Sequence, residues 1–533
     1  MNLVCPESWE SPTLDELIVH AIGGDWGKAP DEAPSDYVTV GCIRGTEIRN
    51  WSQEHGASAA TRAIKQSSLE GRRLIEGDIL LEVSGGGPEQ PVGRTVLIDK
   101  QCLSLNDDVP KIPTNFLRLL RPTPEINPPY LNQFLQFFYK TGDVIDYQGG
   151  SNNLRNLKFK DYIGITIPLP PLAEQKRIVS KIEELFSELD AGEESLRRAR
   201  RQLGVYRQSL LKQAFEGKLT EQWRKQNPHL LESPEQLLTR IQTERQAEYA
   251  KQLREWEKAK QTHKRASKPS EPKLMDGLAA KEIARIDPPD GWATEKIGNC
   301  PTDSLIGLVR AATEQSSDPT GVSYIKMDRV DMLGNVDLSA DVFVACTEEE
   351  IERFQLRQGD ILFNTRNSVE LVGKTAVVRR DPTVPTVYNN NLMRIRLPDS
   401  LDPTFVGLQM CAKPFRQRME QVKKATTSVA AIYGKDFWPL GITFPSLPEQ
   451  CEIVRLLDEQ FTVIEQNERE IDAALKRSAA LRQSILKKAF TGQLVPQDPT
   501  DEPASALLER IRKERDTGSV SKKKTALKKA KPI

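Results

Sequence analysis

The amino-acid sequence predicts an α+β (mixed α/β) fold: two globular domains and two long helices that pair as an antiparallel coiled coil, with a pseudo-two-fold internal repeat. Three observations predict it. Segments 171–219 and 446–494 align without a gap and share 18 identities in 49 pairs, where random pairing would give roughly three. Both segments have the heptad spacing of a coiled coil. A domain-sized stretch precedes each segment, and the two stretches share short motifs in the same order.

The two globular domains are assigned to residues 1–168 and 286–445. Each contains short apolar runs bounded by glycine, which predict strands, whereas Tyr130 to Tyr139 and Phe405 to Met419 are predicted to be helices. Between the shared motifs the two sequences diverge almost completely, as two copies of one scaffold would if each were shaped for a different target. The matched motifs are Pro6-Glu7-Ser8-Trp9 with Pro289-Asp290-Gly291-Trp292, Gly77-Asp78-Ile79-Leu80 with Gly359-Asp360-Ile361-Leu362, Val92-Gly93-Arg94-Thr95 with Val372-Gly373-Lys374-Thr375, and Lys160-Asp161-Tyr162 with Lys435-Asp436-Phe437.

Residues 169–219 and 446–494 are predicted to be the two helical spacers. Each is entered through prolines and ends at a glycine, Gly217 or Gly492. About 44 residues at about 1.5 Å each give a rod of roughly 65 Å. The alternative, two surface helices that never meet, remains open. The predicted pairing residues are Ile182, Leu189, Leu196, Leu203 and Leu210 in the first helix, and Leu457, Ile464, Ile471 and Ile485 in the second.

The segments that follow the spacers repeat each other more weakly. Leu237-Leu238-Thr239-Arg240-Ile241 matches Leu507-Leu508-Glu509-Arg510-Ile511. Residues 220–285 are assigned to a charged helical segment and a linker. Residues 495–533 are assigned to a C-terminal helix and a basic tail, which we expect to be disordered because its lysines repel one another.

Charge is unevenly distributed along the 533 residues, although the net charge is zero. Residues 1–165 contain 16 Lys and Arg against 22 Asp and Glu, and residues 286–445 contain 18 against 21. Both globular domains are therefore slightly acidic. Bulk electrostatics gives no support to nucleic-acid binding by these domains, so any such site must be a local basic surface.

Composition also bears on metals and membranes. The seven cysteines are scattered without a Cys-x-x-Cys pair, and there are only four histidines, so neither a metal site nor a disulfide scaffold is predicted. No stretch approaches the roughly 18 apolar residues of a membrane span, and the N-terminal sequence lacks the pattern of a secretory signal. We therefore expect a soluble, cytoplasmic chain without a membrane partner.

The paired helical segments resemble a known family, the specificity (S) subunits of Type I restriction–modification systems. The resemblance extends from about residue 1 to about residue 515. In that family each globular domain is a target-recognition domain that reads one half of a bipartite, asymmetric DNA site, which here would make residues 1–168 the first and residues 286–445 the second. The residues that carry the resemblance are Ile167-Pro168-Leu169-Pro170-Pro171-Leu172-Ala173-Glu174-Gln175, its echo Phe444-Pro445-Ser446-Leu447-Pro448-Glu449-Gln450, and the endings 211–219 and 486–494.

The resemblance also implies partners. They are double-stranded DNA, two methylation (M) subunits docked on the helices, and restriction (R) subunits in the full complex. An S subunit has no catalytic centre and directs adenine methylation and restriction by the complex. No cofactor or metal is expected on this chain, whereas S-adenosylmethionine, ATP and Mg are expected on the partner subunits. Two target-recognition domains held apart by a helical spacer of at most about 65 Å can bind half-sites roughly 34–36 Å apart.

Two alternatives compete with this interpretation. Asn127-Pro128-Pro129-Tyr130 matches the Asn-Pro-Pro-Tyr tetrad of DNA amino-methyltransferases, in which the aromatic ring stacks on a flipped base. Its counterpart in the second domain is Asp402-Pro403-Thr404-Phe405, so the tetrad is expected to be a turn into a helix rather than a stand-alone active site. The other alternative, a coiled-coil scaffold without DNA binding, is favoured only by the acidic domains.

Candidate DNA contacts are predicted in donor-rich loops. Two such loops precede the matching Lys-Asp motifs, and side chains of these types can hold phosphates or read base edges. A solvated loop is the competing interpretation for each of them. The predicted contacts are Arg72, Arg73, Ser151, Asn152, Asn153 and Arg155 in the first domain, and Arg366, Asn367, Lys423, Lys424, Thr426, Thr427 and Ser428 in the second.

Overall fold

The computed structural model describes residues 3–87, 90–150, 154–261, 268–339, 341–426 and 429–529. The chain divides into two units. Unit 1 comprises Met1–Leu196 and Asp472–Ile533, and unit 2 comprises Arg197–Ile471. Each unit therefore contains one globular domain, part of each long helix, and one of the two weakly repeated segments.

Helices occur in both units, and two of them are far longer than the rest. In chain order the described helices are α1 (Leu14–Leu17), α2 (Trp51–Glu54), α3 (Gln66–Arg72), α4 (Lys100–Ser104), α5 (Pro128–Lys140), α6 (Phe159–Tyr162), α7 (Leu172–Phe215), α8 (Glu221–Gln226), α9 (Pro234–Gln261), α10 (Ala280–Ile286), α11 (Glu348–Phe354), α12 (Pro403–Cys411), α13 (Lys413–Val422), α14 (Gly434–Phe437), α15 (Leu447–Phe490) and α16 (Ala504–Lys529).

The strands are short and lie in the globular domains. In chain order the described strands are β1 (Ile18–Gly23), β2 (Tyr37–Ile43), β3 (Ala60–Lys65), β4 (Ile79–Glu82), β5 (Ser84–Gly86), β6 (Thr95–Leu97), β7 (Lys111–Pro113), β8 (Leu117–Pro122), β9 (Gln148–Gly149), β10 (Arg155–Leu157), β11 (Ala293–Lys296), β12 (Asp303–Ile306), β13 (Gln315–Ser316), β14 (Val322–Ile325), β15 (Phe343–Val344), β16 (Ile361–Asn364), β17 (Arg366–Asn367), β18 (Thr375–Val377), β19 (Thr386–Tyr388), β20 (Leu392–Arg396), β21 (Lys424–Ala425), β22 (Ala430–Ala431) and β23 (Gly441–Phe444).

The main sheet and the small sheet have the same strand order in the two globular domains. The main sheet is antiparallel throughout, with order β1-β8-β4-β6 in unit 1 and β12-β20-β16-β18 in unit 2. A three-stranded sheet follows in each, β5-β10-β9 or β17-β22-β21. A third sheet contains one parallel pair, β2 with β7 in unit 1 and β14 with β19 in unit 2. The predicted mixed α/β class with two long helices is confirmed.

The shared Gly-Asp motif has the same structural role in both domains. Asp78 and Asp360 are buried beneath the main sheet. Asp78 pairs with Arg121 at 2.7 Å, and Asp360 pairs with Arg396 at 2.6 Å. Each carboxylate also accepts a hydrogen bond at 2.8 Å from the backbone amide three residues earlier. The motif therefore recurs because it ties the turn before one strand to the neighbouring strand.

The long helices α7 and α15 contain 44 residues each, in agreement with the predicted spacers. In unit 1, the first part of α7 and the last part of α15 share one core, which contains Ile178, Ile182, Leu486 and Phe490. In unit 2, the last part of α7 shares a core with the first part of α15. Of the predicted pairing residues, Ile182, Leu210, Leu457, Ile464 and Ile471 are buried, whereas Leu189, Leu196, Leu203 and Ile485 are half-buried.

Two expectations about helices differ from the structure. The single helix predicted from Phe405 to Met419 is two helices, α12 and α13, because Pro414 cannot continue the hydrogen-bonding pattern and the chain is extended at Ala412. The lysine tail predicted to be disordered continues α16 as far as Lys529.

Candidate nucleic-acid interface

The small sheet of unit 2 gathers several of the predicted contact residues. Arg366 and Asn367 form β17, and Lys424 lies on β21 of the same sheet. Arg366 is exposed, and the Lys424 side chain is 55% exposed. The Lys424 Nζ lies 5.9 Å from the ring centre of Tyr433, which is also exposed, and 3.3 Å from Asp436 Oδ2. Cationic and aromatic groups thus share one surface, a combination suited to phosphates and base edges. The Asn367 amide is engaged within the loop, since its Nδ2 donates to Asn364 Oδ1 at 2.9 Å and its Oδ1 accepts from the Ser368 amide at 2.8 Å.

The equivalent small sheet of unit 1 carries fewer of the predicted contacts. Arg155 lies on β10 opposite Gly86 of β5 and is half-buried. On the same pair of strands, Ser84 Oγ donates a hydrogen bond to Asn156 Oδ1 at 2.6 Å. The predicted contacts Ser151, Asn152 and Asn153 lie outside the described residues.

Two predicted contacts in unit 2 are engaged by their own loop. The Lys423 side chain is only 11% exposed, and its Nζ donates to the Val369 carbonyl oxygen at 2.7 Å. Thr426 Oγ1 donates to the Val429 carbonyl oxygen at 3.0 Å. For both residues this geometry favours a role in shaping the loop over the direct contact that the sequence predicts, because their polar groups are already used. Thr427 and Ser428 lie outside the described residues.

Arg72 is the last residue of α3, and Arg73 follows it. The Arg72 Nε donates to the Gly23 carbonyl oxygen at 2.8 Å, and its Nη1 donates to Ser68 Oγ at 3.0 Å. Arg72 is half-buried and Arg73 is exposed. The structure therefore gives Arg72 a supporting role beneath the loop that follows β1, which differs from the DNA contact predicted for it.

The loop that Arg72 supports carries a residue that the sequence did not single out. Trp26 lies in this loop and is 38% exposed, and the Arg62 guanidinium carbon lies 4.5 Å from its ring centre. The signal in the sequence was a tryptophan in the glycine-rich segment Gly23-Gly24-Asp25-Trp26-Gly27, directly after a strand. It was missed because an isolated tryptophan is usually buried.

The Asn-Pro-Pro-Tyr tetrad caps a helix. Asn127 Oδ1 accepts a hydrogen bond from the Tyr130 amide at 2.9 Å, which is the N-cap bond of α5. Tyr130 is fully buried, and its hydroxyl donates to the Pro168 carbonyl oxygen at 2.8 Å. Asp402 caps α12 through the Phe405 amide at 2.8 Å in the same way. A buried ring with an occupied hydroxyl cannot stack on a flipped base, so this geometry argues against a methyltransferase site at the tetrad.

A glutamine at the start of each long helix locks that helix to its globular domain. Gln175 is fully buried, and it accepts from the Asn127 amide at 2.9 Å while donating to the Pro170 carbonyl oxygen at 2.9 Å. Gln450 accepts from the Asp402 amide at 2.8 Å and donates to the Pro445 carbonyl oxygen at 2.9 Å. The direction of each long helix is therefore fixed relative to the domain that precedes it.

The glutamates before these glutamines differ between the units. Glu174 accepts from Trp9 Nε1 at 3.1 Å, and burial raises the pKa of its carboxyl group. Glu449 instead accepts from Thr220 Oγ1 at 2.6 Å and pairs with Arg224 at 2.5 Å. The same glutamate therefore pairs directly with a cation in unit 2, whereas in unit 1 it accepts a hydrogen bond from an indole N–H.

Within the described ranges, no group of three or more His, Cys, Asp or Glu side chains is placed to hold a metal ion. No helix in the described part of the chain is both long enough and apolar enough to cross a membrane.

Comparison with protein families and with characterised relatives gives matches along nearly the whole chain. The family model for the Type I restriction modification DNA specificity domain matches residues 55–196. The Type I restriction enzyme EcoKI specificity subunit of Escherichia coli strain K12 is 27% identical over 526 residues, which cover 96% of each chain. The Type I restriction enzyme StySPI specificity subunit of Salmonella potsdam is 25% identical over 545 residues, covering 98% of this chain and 99% of the relative.

A solved structure has a similar fold. It comes from work described as the structural basis underlying complex assembly and conformational transition of the type I R-M system. It aligns with a TM-score of 0.59 at 18% identity, covering 93% of this chain and 100% of that chain. At this identity the likeness concerns the fold alone.

Proposed function

The chain belongs to the family of Type I restriction–modification specificity subunits, and we propose that it is the part of such a complex that reads a bipartite, asymmetric DNA site. Residues 1–168 would read one half of the site and residues 286–445 the other. The long helices would set the distance between the half-sites. Reading cellular DNA would place the chain in the cytoplasm.

One observation carries this proposal: the two globular domains share the strand order of their main and small sheets and their buried motifs, but differ in what they expose. The main and small sheets and the buried Asp78 and Asp360 pairs are equivalent. The exposed surface of the small sheets is not, since unit 2 offers Arg366 and Lys424 where unit 1 offers Arg155. A shared scaffold with different exposed donors would read two different base sequences, because base edges are distinguished by donor and acceptor patterns.

We further propose that α7 and α15 pair as one antiparallel coiled coil with pseudo-two-fold symmetry. In unit 1, the Arg482 guanidinium lies 5.1 Å from the Phe186 ring. In unit 2, Arg207 lies 4.5 Å from the Phe461 ring. Phe186 aligns with Phe461, and Arg207 aligns with Arg482, in the gap-free repeat. A single antiparallel register would therefore account for both contacts.

The proposed chain has no catalytic role of its own. Methylation subunits, docked on the helices, would bring S-adenosylmethionine and transfer its methyl group to adenine. Restriction subunits would bring ATP and Mg for cleavage. We do not propose a stand-alone methyltransferase, because Tyr130 is buried and its hydroxyl is engaged.

The experiment is to assemble the chain with its methylation subunits and to map the methylated sites by sequencing. The wild-type complex is expected to methylate one bipartite site. A four-residue insertion after Ala199, made together with one after its counterpart Ala474, lengthens each helix by about 6 Å. Because base pairs are about 3.4 Å apart, we expect the spacer to grow by about two base pairs while both half-sites stay unchanged.

A matched control is a four-residue insertion after Gly277, in the linker between α9 and α10. Nothing lies within 4 Å of a Cβ placed at Gly277, so this insertion should leave the recognised site unaltered. If the helix insertions left the spacer unchanged in an active complex, the helices would not set the spacing. A wild-type complex that methylated a continuous site, or no defined site, would contradict the proposed function itself.

A further inference from the structure

The loop that follows the first strand of the main sheet in unit 1 is held rigidly. Its backbone runs from Gly23 to Lys28. The Gly24 amide donates to the Leu117 carbonyl oxygen at 3.0 Å, and the Asp25 amide donates to the Pro113 carbonyl oxygen at 2.9 Å. Farther along, Lys28 and Ala63 exchange backbone hydrogen bonds at 2.9 and 3.0 Å. Both ends of the loop are thus fastened to neighbouring strands.

Side chains fasten the middle of this loop as well. Asp25 accepts from Ser68 Oγ at 2.5 Å and from the Gly27 amide at 3.0 Å. Burial alone would raise the pKa of Asp25, but these hydrogen bonds and the charge of Arg72 lower it below its ordinary value. The carboxylate is therefore ionised near neutral pH, when it holds the loop most strongly.

The backbone path of the loop requires glycine at two positions. A Cβ at Gly24 would lie 2.1 Å from the Thr114 carbonyl oxygen. Gly27 has a φ of +62°, and a Cβ there would lie 2.2 Å from the Ala63 carbonyl oxygen. Side chains at either position would displace the loop. Gly24 and Gly27 thus allow the loop to lie directly against the strands. Trp26 lies between these two glycines in the sequence.

Trp26 projects from this rigid loop together with an arginine. Arg62 Nε donates to the Trp26 carbonyl oxygen at 3.0 Å, and the guanidinium lies 4.5 Å from the indole ring. Trp26 nonetheless remains 38% exposed. Exposing a large aromatic ring forfeits the stabilisation that its burial would bring, yet this loop holds the ring and the cation in a fixed arrangement at the surface.

Unit 2 has a loop with the same backbone contacts. The Gly307 amide donates to the Leu392 carbonyl oxygen at 3.0 Å, and the Leu308 amide donates to the Tyr388 carbonyl oxygen at 2.8 Å. A Cβ at Gly307 would lie 2.3 Å from the Asn389 carbonyl oxygen. The residue that follows Leu308 is Val309, which is 70% exposed.

These contacts make Trp26 and Val309 equivalent. The acceptors Leu117 and Leu392 are the first residues of β8 and β20, the equivalent strands of the two main sheets. The next amide in each loop donates to Pro113 or Tyr388, which are the last residues of β7 and β19. These two strands are the equivalent members of the two parallel pairs. In each unit the exposed apolar residue comes directly after the second of these two hydrogen bonds. The same rigid position therefore displays an indole in one domain and an isopropyl group in the other.

We infer that this position determines base specificity in each half-site, through Trp26 with Arg62 in unit 1 and through Val309 in unit 2. The inference rests on the proposed function. Valine can contact the methyl group of thymine, and an arginine can donate to the acceptors of guanine. Arg62 Nε and Nη2 donate to the Trp26 and Gly27 carbonyl oxygens at 3.0 and 3.4 Å, which leaves Nη1 as the donor for a base. A loop that is already ordered adds little entropic cost on binding. Different side chains on one scaffold position would give the two half-sites different sequences.

The test uses the assembled methylating complex and reads both half-sites by sequencing. Trp26→Ala is expected to relax discrimination about 10- to 100-fold at one or two positions of the half-site read by unit 1, with the other half-site unchanged. Val309→Ala should give the reciprocal result. Arg62→Lys keeps the charge but loses the planar guanidinium that lies over the indole and donates to the loop carbonyl oxygens, so it should relax the same half-site as Trp26→Ala. This variant also guards against misfolding of the tryptophan variant.

Matched controls are Ile75→Ala in unit 1 and Val384→Ala in unit 2, because both residues are exposed and apolar but lie outside these loops. Neither control should change either half-site. The inference would be overturned, with the proposed function intact, if base discrimination stayed unchanged at both half-sites in three active complexes. These are the complexes of Trp26→Ala, Arg62→Lys and Val309→Ala. Equal relaxation of both half-sites by one variant would overturn it too. A wild-type complex without a bipartite site would overturn the proposed function and this inference together.

Discussion

Replacing Gln175 with leucine tests how firmly the first long helix is locked to its domain. Gln175 is fully buried and makes two hydrogen bonds of 2.9 Å, one to the Asn127 amide and one to the Pro170 carbonyl oxygen. Leucine has a similar volume but no polar atoms. Gln175→Leu would leave one buried donor and one buried acceptor without their partner.

The magnitude follows from those two groups. A buried backbone group that loses its partner costs about 1–3 kcal/mol, so the two together cost about 2–6 kcal/mol. Burying the leucine side chain in place of the amide offsets about 1–2 kcal/mol of this. We therefore expect Gln175→Leu to lower the free energy of unfolding of unit 1 by about 3 kcal/mol.

The assay is amide hydrogen exchange measured by mass spectrometry on the full chain. Peptides that contain Asn127 should exchange at least tenfold faster in Gln175→Leu, and peptides that contain Asp402 should be unchanged. Gln450→Leu is the matched variant and should give the opposite pattern. Gln202→Leu, at an exposed position of α7, is the surface control. Unchanged exchange at Asn127, with an unfolding midpoint equal to that of wild type, would refute the idea that the glutamine locks the helix to the domain.

Three further variants test other parts of the structure. Asp78→Ala leaves Arg121 without its carboxylate and should cost about 3 kcal/mol in denaturant-induced unfolding; a loss no larger than that of a surface variant would contradict the structural role of the Gly-Asp motif. Burial raises the pKa of Glu174 above 4.5, so the wild type loses stability as the pH rises from about 4.5 through the raised pKa. Glu174→Gln removes this loss, and the glutamine can still accept a hydrogen bond from Trp9. In thermal unfolding, the stability of this variant relative to wild type should therefore increase from pH 4.5 to pH 7. Parallel plots of stability against pH for the two proteins would contradict this prediction. Asn127→Ala should cost about 1 kcal/mol while the assembled complex still methylates DNA, and Asn127→Asp should cost less because aspartate also caps; an assembled, DNA-bound but inactive Asn127→Ala complex would support the methyltransferase alternative.

The long helices and the domain motifs could be predicted because their signals are local or repeated. Heptad spacing and flanking prolines and glycines place the ends of α7 and α15 to within four residues. The Asn-Pro-Pro-Tyr tetrad could be set aside because its counterpart begins with Asp402, which can cap a helix but lacks the amide. The break between α12 and α13 was missed because the apolar pattern continues through Pro414.

The contact residues were harder to predict because exposure depends on neighbours that are distant in the sequence. Lys423 and Arg72 have the chemistry of phosphate ligands, yet the carbonyl oxygens of Val369 and Gly23 already accept their hydrogen bonds. Tryptophan is usually a core residue, yet this loop holds the Trp26 side chain at the surface. Side-chain type suggests what a residue could bind, whereas packing decides whether its polar groups remain available.

The sequence by itself determined that this chain is a duplicated pair of domain and helix, because the repeat occupies contiguous residues whose periodicity survives divergence. Only the tertiary structure decided which residues correspond within the divergent domains. Trp26 and Val309 are 283 positions apart, whereas the helices are 275 positions apart, so a constant offset does not pair them. Their equivalence is defined by backbone hydrogen bonds to matching strands, and those bonds form between segments that are distant in the sequence.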